Sequence, residues 1–566
     1  MPSIEVDYAD FEKMLGIEIY KDLEKLNDIL AFVKGEVKVF DEEKGIMTIE
    51  IKDSNRPDIW NVEGLARTLR GFLGFEKGLR KYAVGKPLVE VNVDPRLKEI
   101  RPYIGCSIVK DVKLTDAIIR GFMHLQDKID QTYGRNRRRT SIGLYDFSLI
   151  TPPLHYTVAK PTEISFVPLD FEEKLNLMEI LKQHPKGIEY GHIVSQHPVY
   201  PILLDSKKKV LSFPPIINSH DLGKITEETR HVLVEVTGTI HQTVLNTLKI
   251  VTLSLIDREG RAYSAIIHYP HEELTVVTPK FETWHMNLEV QYVNKVLGLQ
   301  LTAVQIAELL GKAGFGAKKL DRRKLNVRIP CYRIDVMHPI DLVEDIGIAY
   351  GYNNIKPLWR KLPTTGGAKP EQSLFNIARD LMIGLGFQEI LSYTLTNHEK
   401  LFRKMNRRKE RIVEIANPKV QTLKCLRNWL LPSLMEFLSN NLHVEYPQKI
   451  FELGTVTLLD KEGETKTEDE EKLAVVISSA NASFSEIKSI LDSFFMNLDV
   501  KWRIKKAEHS SFIDGRVGTA VVDETDIGIL GEIHPKVLEA WRLENPVAAF
   551  ELNMKTIFEI KQTHKT

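Results

Sequence analysis

The segment 325–355 constrains the fold more than any other part of the chain. It begins with the alternating pattern of a strand, which Pro330 ends, and continues into a helix whose first position suits Pro339. When the residues of this helix are spaced at about 100° each, apolar side chains fill one arc and carboxylates fill the opposite arc. The sequence therefore predicts a strand followed by an amphipathic helix with an acidic back.

The acidic side of this segment holds Asp335, Asp341, Glu344 and Asp345. The ordinary interpretation is a solvated helix face, because the helix dipole stabilises acids in the first turn by about 0.3–1 kcal/mol each. The alternative is a cation site, because clustered carboxylates repel one another and Mg²⁺ takes oxygen ligands. Ile348 lies on the same arc, and an apolar residue there favours a covered surface over a solvated one.

The length and composition indicate an ordinary soluble protein with several domains. A chain of 566 residues is too long for one hydrophobic core, and we expect roughly three to five domains. Hydrophobic residues make up 43% of the chain and charged residues 27%, and no apolar run approaches the ~20 residues of a membrane span. The acidic, amphipathic N-terminus does not resemble a signal peptide.

The cysteines and the net charge exclude two classes of site and leave one open. Cys106, Cys331 and Cys425 are far apart, with no CxxC pair, which argues against a disulfide framework or a zinc site and favours a cytoplasmic protein. Lysine plus arginine and aspartate plus glutamate number 77 each. A net charge of zero does not indicate nucleic-acid binding, although a local basic patch still permits it.

Hydrophobic periodicity and linker composition divide the chain into four predicted parts. They are an N-terminal module (1–90), a strand-rich α+β domain (91–277), a smaller helix-rich unit (278–358) and a second large α+β domain (366–566). Within them we expect, among other elements, a helix in 1–34, a hairpin in 35–53 and a helix in 422–442. Strands joined by hairpins, together with long helices, predict an antiparallel sheet flanked by helices in the last part.

Two polar segments leave their roles open. The run Arg135–Arg139 holds four arginines, which suit either a solvated loop or a contact with phosphate groups. The segment Asn55–Asp58 is typical of a turn, in which Arg56 bonds the carboxylate of Asp58 more often than it contacts RNA.

Two longer motifs, taken in this order, resemble the β subunit of phenylalanyl-tRNA synthetase in its archaeal and eukaryotic, cytosolic form. They are SNRPDIWNVEGLAR near the N-terminus and RIPCYRIDVMHPIDLVEDIGIAYGYNNI in the middle, and GFQEILSYTL, NPKVQTLKCLRNWLLPSL, KIFELG and GEIHP follow them. The resemblance covers essentially the whole chain. It implies a B3/B4-type editing domain, a B5 domain of winged-helix type and a B6/B7 region shaped like a class II synthetase core.

The resemblance also implies partners and a metal. Members of the family form an α2β2 heterotetramer that attaches phenylalanine to tRNA(Phe) with ATP and Mg²⁺. ATP and phenylalanine are bound mainly by the α subunit. Its B5 domain carries a magnesium site at the contact with the α subunit, with the acidic pattern D-x5-D-x2-E-[DE]. Asp335, Asp341, Glu344 and Asp345 match that pattern residue by residue and are the predicted metal ligands.

Synthesis and editing are predicted to be divided between the two subunits. Class II adenylation needs arginines on the α- and γ-phosphates of ATP, yet no arginine stands beside Phe451–Glu452 and no G-x-G-x-x-R occurs from residue 371 onward. Editing is needed because an apolar pocket rejects an added hydroxyl only weakly, by about 10². Near the irregular Pro214–Pro215 segment, the candidates that could bind a phenolic hydroxyl or hold a water are Asn218, Ser219, Glu235, Thr237 and Thr239.

For any one of these five residues, a structural role in a turn is an equal alternative. The sequence as a whole favours the β subunit of a cytoplasmic phenylalanine–tRNA ligase, which supports assembly, binds tRNA and hydrolyses Tyr-tRNA(Phe). The alternative is a free-standing aminoacyl-tRNA deacylase, or an RNA-binding protein, that has no synthetase partner.

Overall fold

The computed structural model describes residues 2–18, 22–270, 273–359 and 364–563. The chain forms two compact units, residues 1–359 and 360–566, and each is described by itself below. The division of the first unit into three domains stays a prediction. Among the helices in these ranges, none is both long enough and apolar enough to cross a membrane.

The N-terminal module is a small sheet covered by helices. Its elements are β1 (Ser3–Asp7), α1 (Tyr8–Leu15), α2 (Leu23–Leu30), β2 (Gly35–Asp41), β3 (Ile46–Ile51) and α3 (Val62–Phe72), with the strand order β1-β3-β2. The predicted hairpin in 35–53 is confirmed as β2 and β3. The helix predicted in 1–34 is present as two helices, α1 and α2. The first residues form a strand instead, because Ile4 and Val6 alternate into the core before Asp7 caps α1.

The next part has twelve described strands, of which ten form one large sheet and two pair separately. The strands are β4 (Gly85–Val93), β5 (Tyr103–Lys110), β6 (Thr140–Asp146), β7 (Leu154–Ala159), β8 (Ser165–Phe166), β9 (Leu175–Asn176), β10 (Tyr200–Leu204), β11 (Val210–Phe213), β12 (Ile217–Asn218), β13 (His231–Gly238), β14 (Arg261–Tyr269) and β15 (Leu274–Thr278). The helices are α4 (Asp116–Gln131), α5 (Leu177–Gln183), α6 (Pro185–Tyr190) and α7 (His241–Asp257). The order is β12-β11-β10-β7-β4-β14-β5-β13-β6, with β15 on β14, while β8 and β9 pair separately.

Strand β13 places its side chains on two different cores. Val232, Val234 and Val236 face the core that contains α4 and α7, whereas Leu233 belongs to the core on the other face of the sheet. Because side chains alternate along a strand, Glu235 shares its face with Leu233. The neighbouring strand β6 forms an edge of the sheet, and its residues pair with β13 along their whole length.

The last part of the first unit is helix-rich, as expected. Its elements are β16 (Trp284–Glu289), α8 (Val290–Leu297), α9 (Ala303–Lys312), β17 (Gly316–Lys319), β18 (Lys324–Ile329) and α10 (Pro339–Tyr350). The segment that predicted a strand and an acidic helix is confirmed as β18 and α10, and Pro339 occupies the first position of α10. The apolar arc of α10 is buried through Leu342, Val343 and Ile346.

The second unit has a seven-stranded sheet with helices packed on it. Its strands are β19 (Gln388–Glu389), β20 (Leu395–Thr396), β21 (Cys425–Leu426), β22 (Gln448–Leu459), β23 (Thr467–Ser478), β24 (Arg503–Lys506), β25 (Phe512–Val522), β26 (Thr525–Ile533) and β27 (Val547–Asn553). Its helices are α11 (Pro370–Gly384), α12 (Leu431–Asn440), α13 (Phe484–Asn497), α14 (Pro535–Trp541) and α15 (Met554–Thr563). The order β19-β22-β23-β27-β26-β25-β24 is antiparallel except at the β19–β22 pair.

The predicted antiparallel sheet with flanking helices is confirmed in this unit. The predicted helix in 422–442 is wrong over its first half, where Cys425 and Leu426 pair with β20 instead. Pro432 explains the late start of α12, because proline is tolerated in the first turn of a helix but not in its interior.

Candidate functional site

A cavity of about 430 Å³ lies beside β6 at the edge of the large sheet. Residues of β6, β13, α4 and the segment between β11 and β12 form its walls. Apolar and polar side chains both line it, and the polar ones include Gln126, Asp127, Arg137, Ser141, Ser212, Asn218 and Glu235. This volume and this mixture of side chains are typical of a site for a small molecule.

Glu235 is the buried acid of the cavity. Its Oε2 accepts a 2.8 Å hydrogen bond from the hydroxyl of Tyr145, whereas its Oε1 has no hydrogen-bond partner in the described ranges. Burial raises the pKa of the Glu235 carboxyl group to about 7, against the lowering effects of Tyr145 and Arg101. A buried acceptor without a partner costs free energy, so Oε1 is suited to a donor that a ligand brings.

Arg137 holds part of the cavity wall in place. It is buried, and its Nη1 donates hydrogen bonds to the carbonyl oxygens of Pro215 and Ile216 at 3.1 and 2.9 Å. Its Nε lies 3.1 Å from Oδ2 of Asp130. Burial raises the pKa of Asp130 to about 7, although the charge of Arg137 acts in the opposite direction. Arg137 therefore ties the turn after β11 to the end of α4.

Two of the five residues predicted for editing line the cavity, namely Asn218 and Glu235. The other three have structural contacts elsewhere. Ser219 accepts a hydrogen bond from the backbone N–H of Leu222, and Thr237 accepts one from Nε of Arg101 at 2.9 Å. The exposed Thr239 donates its hydroxyl to the carbonyl oxygen of Arg138 at 3.1 Å. The turn-chemistry alternative therefore describes Ser219 and Thr239, and a role of any of the five in editing stays a prediction.

The sequence did not indicate several residues that the structure brings to the cavity or to Glu235. They are Tyr145, Ser212 and His184. The sequence indicated Arg137 only as part of the basic run Arg135–Arg139, and the structure places it in the cavity wall. The signal for Tyr145 existed in the strand pattern, since Glu235 pairs with Gly143, and Tyr145 lies two residues further on the same face. Tyr145 can be assigned to the site only when the pairing of β6 with β13 is known, because Tyr145 and Glu235 are 90 residues apart in sequence.

The turn at Asn55–Asp58 and the acidic segment meet in a buried network of charges. Arg56 donates two 2.8 Å hydrogen bonds to Asp58, which confirms the structural interpretation of this arginine. Arg333 donates to Asp335 and to Asp345, in each case with one bond of 2.7 Å. Although burial opposes it, the charges of Arg333 and Arg56 hold the pKa of Asp335 below its ordinary value. The sequence pattern gave no indication of this partner arginine.

The other two predicted metal ligands also have protein partners. Asp341 accepts hydrogen bonds from the backbone N–H groups of Met337 and His338 at 2.7 Å, and Glu344 forms an ion pair with Lys34. Throughout the ranges that are described, no group of three or more His, Cys, Asp or Glu residues is placed to hold a metal ion. In this arrangement all four carboxylates bond other groups of the protein, and their role as metal ligands stays a prediction of the resemblance.

In the second unit, an arginine does lie next to the β22 segment that was predicted to lack one. Arg427 donates a 2.7 Å hydrogen bond to Oε1 of Glu452, and both side chains are at most 3% exposed. Nη1 of Arg427 also donates to the hydroxyl oxygen of Ser392, and Nε donates to the carbonyl oxygen of Thr455. Because this guanidinium group is buried and hydrogen-bonded within the fold, it is not available to donate two parallel hydrogen bonds to a phosphate group of ATP.

Two family models match the chain in successive segments. The model described as "tRNA synthetase B5 domain" matches residues 286–352, which contain α8–α10. The model described as "Phenylalanyl tRNA synthetase beta chain CLM domain" matches residues 355–554 in the second unit.

Full-length relatives agree with these models. The chain is 44% identical to the phenylalanine–tRNA ligase beta subunit of Pyrococcus abyssi, with 99% of this chain and 100% of the relative covered. The corresponding values for the subunit of the same name from Archaeoglobus fulgidus are 41%, 89% and 90%. A crystal structure of an N-terminal fragment of the phenylalanyl-tRNA synthetase beta-subunit from Pyrococcus horikoshii is 38% identical, with a TM-score of 0.60; the match covers 62% of this chain and the whole fragment.

The matched domains define the class of protein, which is a subunit of a class II aminoacyl-tRNA synthetase. Within that class, the chain belongs to the family of phenylalanine–tRNA ligase beta subunits.

Proposed function

We propose that this chain works with a phenylalanine–tRNA ligase α subunit in an α2β2 assembly. The assembly consumes ATP and phenylalanine and produces Phe-tRNA(Phe), AMP and pyrophosphate, with Mg²⁺ serving the ATP chemistry. The α subunit carries out amino-acid activation, and this chain contributes to assembly and to tRNA binding in the cytoplasm. The contacts of Arg427 support this assignment of activation to the α subunit, because the guanidinium group of Arg427 already bonds Glu452, Ser392 and Thr455.

The second part of the proposal is that the cavity beside β6 edits misacylated tRNA. Its substrate is Tyr-tRNA(Phe), and its reaction is the hydrolysis of the ester between tyrosine and the terminal ribose. Water adds to the ester carbonyl, the bond to the ribose oxygen breaks, and free tyrosine and a 3′-terminal hydroxyl result. Hydrolysis of the correct product, Phe-tRNA(Phe), must be slow by comparison.

The observation that carries this proposal is the unpartnered Oε1 of Glu235 in the cavity wall. A tyrosine side chain brings a phenolic O–H that can donate to this oxygen, whereas phenylalanine would leave the oxygen without a partner. Sites built to bond a hydroxyl discriminate strongly against the analogue that lacks it, because a buried polar group is then left unpaired. Oδ1 of Asn218 lies 3.3 Å from the hydroxyl oxygen of Tyr145, on the same side of the cavity as Glu235.

The test is hydrolysis of Tyr-tRNA(Phe) by the Glu235→Gln variant of the assembled protein. At a pH above the pKa of about 7, where Glu235 is charged, a hydrogen bond to its carboxylate contributes about 1.5–3 kcal/mol, so we expect kcat/KM for hydrolysis to fall by about 10- to 100-fold. Aminoacylation with phenylalanine should be unchanged.

Glu90→Gln is the matched control, since it makes the same change on the exposed side of β4. Hydrolysis by Glu235→Gln at the same rate as by Glu90→Gln would refute the assignment of Glu235. Absence of Tyr-tRNA(Phe) hydrolysis by the unaltered protein would refute the editing proposal itself.

A further inference from the structure

We propose that the loop Gly134–Arg139 binds the phosphate backbone at the 3′ end of the aminoacyl-tRNA whose amino acid enters the cavity. The inference rests on the proposed editing function and adds to it the surface that holds the nucleic acid. The contacts would come from Arg135, Arg138 and Arg139, while Arg137 keeps its structural place in the cavity wall.

The arginines of this loop divide between the interior and the solvent. Arg137 is buried and lines the cavity, whereas Arg135, Arg138 and Arg139 are exposed. Consecutive Cα atoms are about 3.8 Å apart, so the exposed arginines lie within a few ångströms of a residue of the cavity wall. Three exposed positive charges therefore lie beside the cavity.

The backbone of the loop has an unusual conformation that the surrounding structure holds in place. Arg135, Asn136 and Arg137 are three consecutive non-glycine residues with φ values of 52°, 53° and 60°. L-residues with a Cβ atom rarely adopt this left-handed region, and they do so as single residues more often than in runs. Such strained conformations persist where neighbouring contacts determine them, and they are concentrated at functional sites.

Hydrogen bonds at both ends explain why the loop keeps this shape. The backbone N–H groups of residues 135–139 donate to carbonyl oxygens of residues 130–135. On the other side, the carbonyl oxygen of Arg137 accepts a bond from Arg101, and those of Arg138 and Arg139 accept bonds from Thr239. These contacts explain the position of Thr239, which the sequence suggested for the cavity itself.

The same bonds determine which groups of the loop are available to an anion. Because every backbone N–H group of residues 135–139 is already used inside the protein, the loop does not offer the amide cradle that often binds phosphate. Binding must therefore use the guanidinium groups. Within the described residues, no carboxylate forms an ion pair with Arg135, Arg138 or Arg139, so three like charges remain uncompensated on a rigid support.

The chemistry of the neighbouring cavity favours a nucleic acid over an acidic protein segment as the occupant. A ligand that places an aminoacyl ester in the cavity must carry its terminal ribose and the preceding phosphates past the cavity entrance. Guanidinium groups match phosphate oxygens with two parallel hydrogen bonds, and a single strand offers a phosphate at every nucleotide. Lys186 and Lys224, which also line the cavity, add positive charge on the same side of the domain.

The experiment compares two substrates of the full-length protein, assembled with its α chain. The first is Tyr-tRNA(Phe), and the second is 2′(3′)-O-tyrosyl-adenosine, which has the same ester but no phosphate groups. For the variant Arg135→Gln/Arg138→Gln/Arg139→Gln, we expect kcat/KM to fall at least 10-fold with Tyr-tRNA(Phe) and to stay unchanged with tyrosyl-adenosine. The slope of log kcat/KM against log salt concentration should become shallower by about 2, since three contacts contribute about 0.7 each with a single strand.

A matched control removes the same charge from another exposed run of the same unit. Lys207, Lys208 and Lys209 lie in the turn before β11, at the end of that strand opposite to the cavity. Their replacement by glutamine should leave both substrates unaffected. The variant Arg135→Lys/Arg138→Lys/Arg139→Lys keeps the positive charge but removes the guanidinium groups, which can donate two parallel hydrogen bonds. Its kcat/KM for Tyr-tRNA(Phe) should lie between that of the unaltered protein and that of Arg135→Gln/Arg138→Gln/Arg139→Gln.

Three results would overturn the proposal. They are unchanged hydrolysis of Tyr-tRNA(Phe) by the arginine variant, an equal loss in the lysine control, and an equal loss with both substrates, which would show that the loop only shapes the cavity. Anisotropy titration with uncharged tRNA(Phe) gives a second readout that does not depend on hydrolysis. If the unaltered protein hydrolyses neither substrate, the editing function fails, whereas failure of the loop proposal alone leaves that hydrolysis intact.

Discussion

At the scale of single residues, buried arginines organise the polar parts of the first unit. Arg333 contacts Asp335 and Asp345, and Arg56 contacts Asp58 while lying 3.7 Å from Asp335. The helical arrangement of the acids was predictable from spacing alone, but their partners were not. Arg333 reaches Asp345 of α10 only after folding, and Arg56 lies near Asp335, which precedes the helix, so periodicity within the helix contains no information about these arginines.

The replacement Arg333→Met tests how strongly this network supports the first unit. It leaves Asp335 and Asp345 buried without their main cation, and removal of one partner of a buried ion pair typically destabilises a protein by about 3–5 kcal/mol. We expect a loss of that size in chemical denaturation of the first unit's transition at neutral pH.

The exposed Arg322 provides the control for this measurement, since Arg322→Met removes the same group from a solvated turn. A change of about 0.5 kcal/mol or less is expected there. Equal stabilities of the two variants would mean that the buried network does not contribute to folding.

At the scale of elements, alternation and helical spacing predicted most strands and helices, including β18, α10 and the hairpin of β2 and β3. These patterns did not predict which strands become neighbours. The candidate site depends on one such pairing, that of β6 with β13. Glu235 and Thr237 lie on the same face of β13, yet Glu235 lines the cavity and Thr237 bonds Arg101 behind it. The polar group that Glu235 contacts comes from β6, which pairs with β13 only in the folded sheet.

Gly143 is the place on β6 where this pairing can be tested. A Cβ atom added at Gly143 would lie 2.3 Å from the hydroxyl oxygen of Tyr145 and 2.6 Å from Oε2 of Glu235. Gly143→Ala should therefore separate Tyr145 from Glu235, lower kcat/KM for Tyr-tRNA(Phe) hydrolysis about 10-fold or more, and destabilise the first unit by about 1–3 kcal/mol through overpacking.

Gly121→Ala in α4 is the control, because a Cβ atom there meets no other atom within 4 Å. It should leave hydrolysis unchanged and stabilise the helix by about 0.5–1 kcal/mol. If Gly143→Ala behaves in the same way as Gly121→Ala, the contact between Tyr145 and Glu235 has no role in the reaction.

At the scale of the whole molecule, the chain combines a complete synthetase-like sheet with an arginine that is not available to a substrate. The second unit has the antiparallel sheet and the flanking helices, but Arg427 is buried and bonded to Glu452. The absence of the motif arginines from the sequence and the buried position of Arg427 in the fold are two independent observations. Both observations support the proposal that amino-acid activation requires another subunit.

This inference predicts the behaviour of the purified full-length chain with and without its α chain. The chain alone should show no phenylalanine-dependent exchange of pyrophosphate into ATP, because it has no free arginine fork for the phosphates at β22. Co-expression with the α chain should yield a complex that co-purifies, and phenylalanine-dependent exchange and aminoacylation should appear with it.

The α chain alone serves as the control for activity that does not require this chain. A chain that stays a stable monomer in the presence of α, and still hydrolyses Tyr-tRNA(Phe), would instead be a free-standing deacylase, and the proposed division of synthesis between two subunits would be wrong.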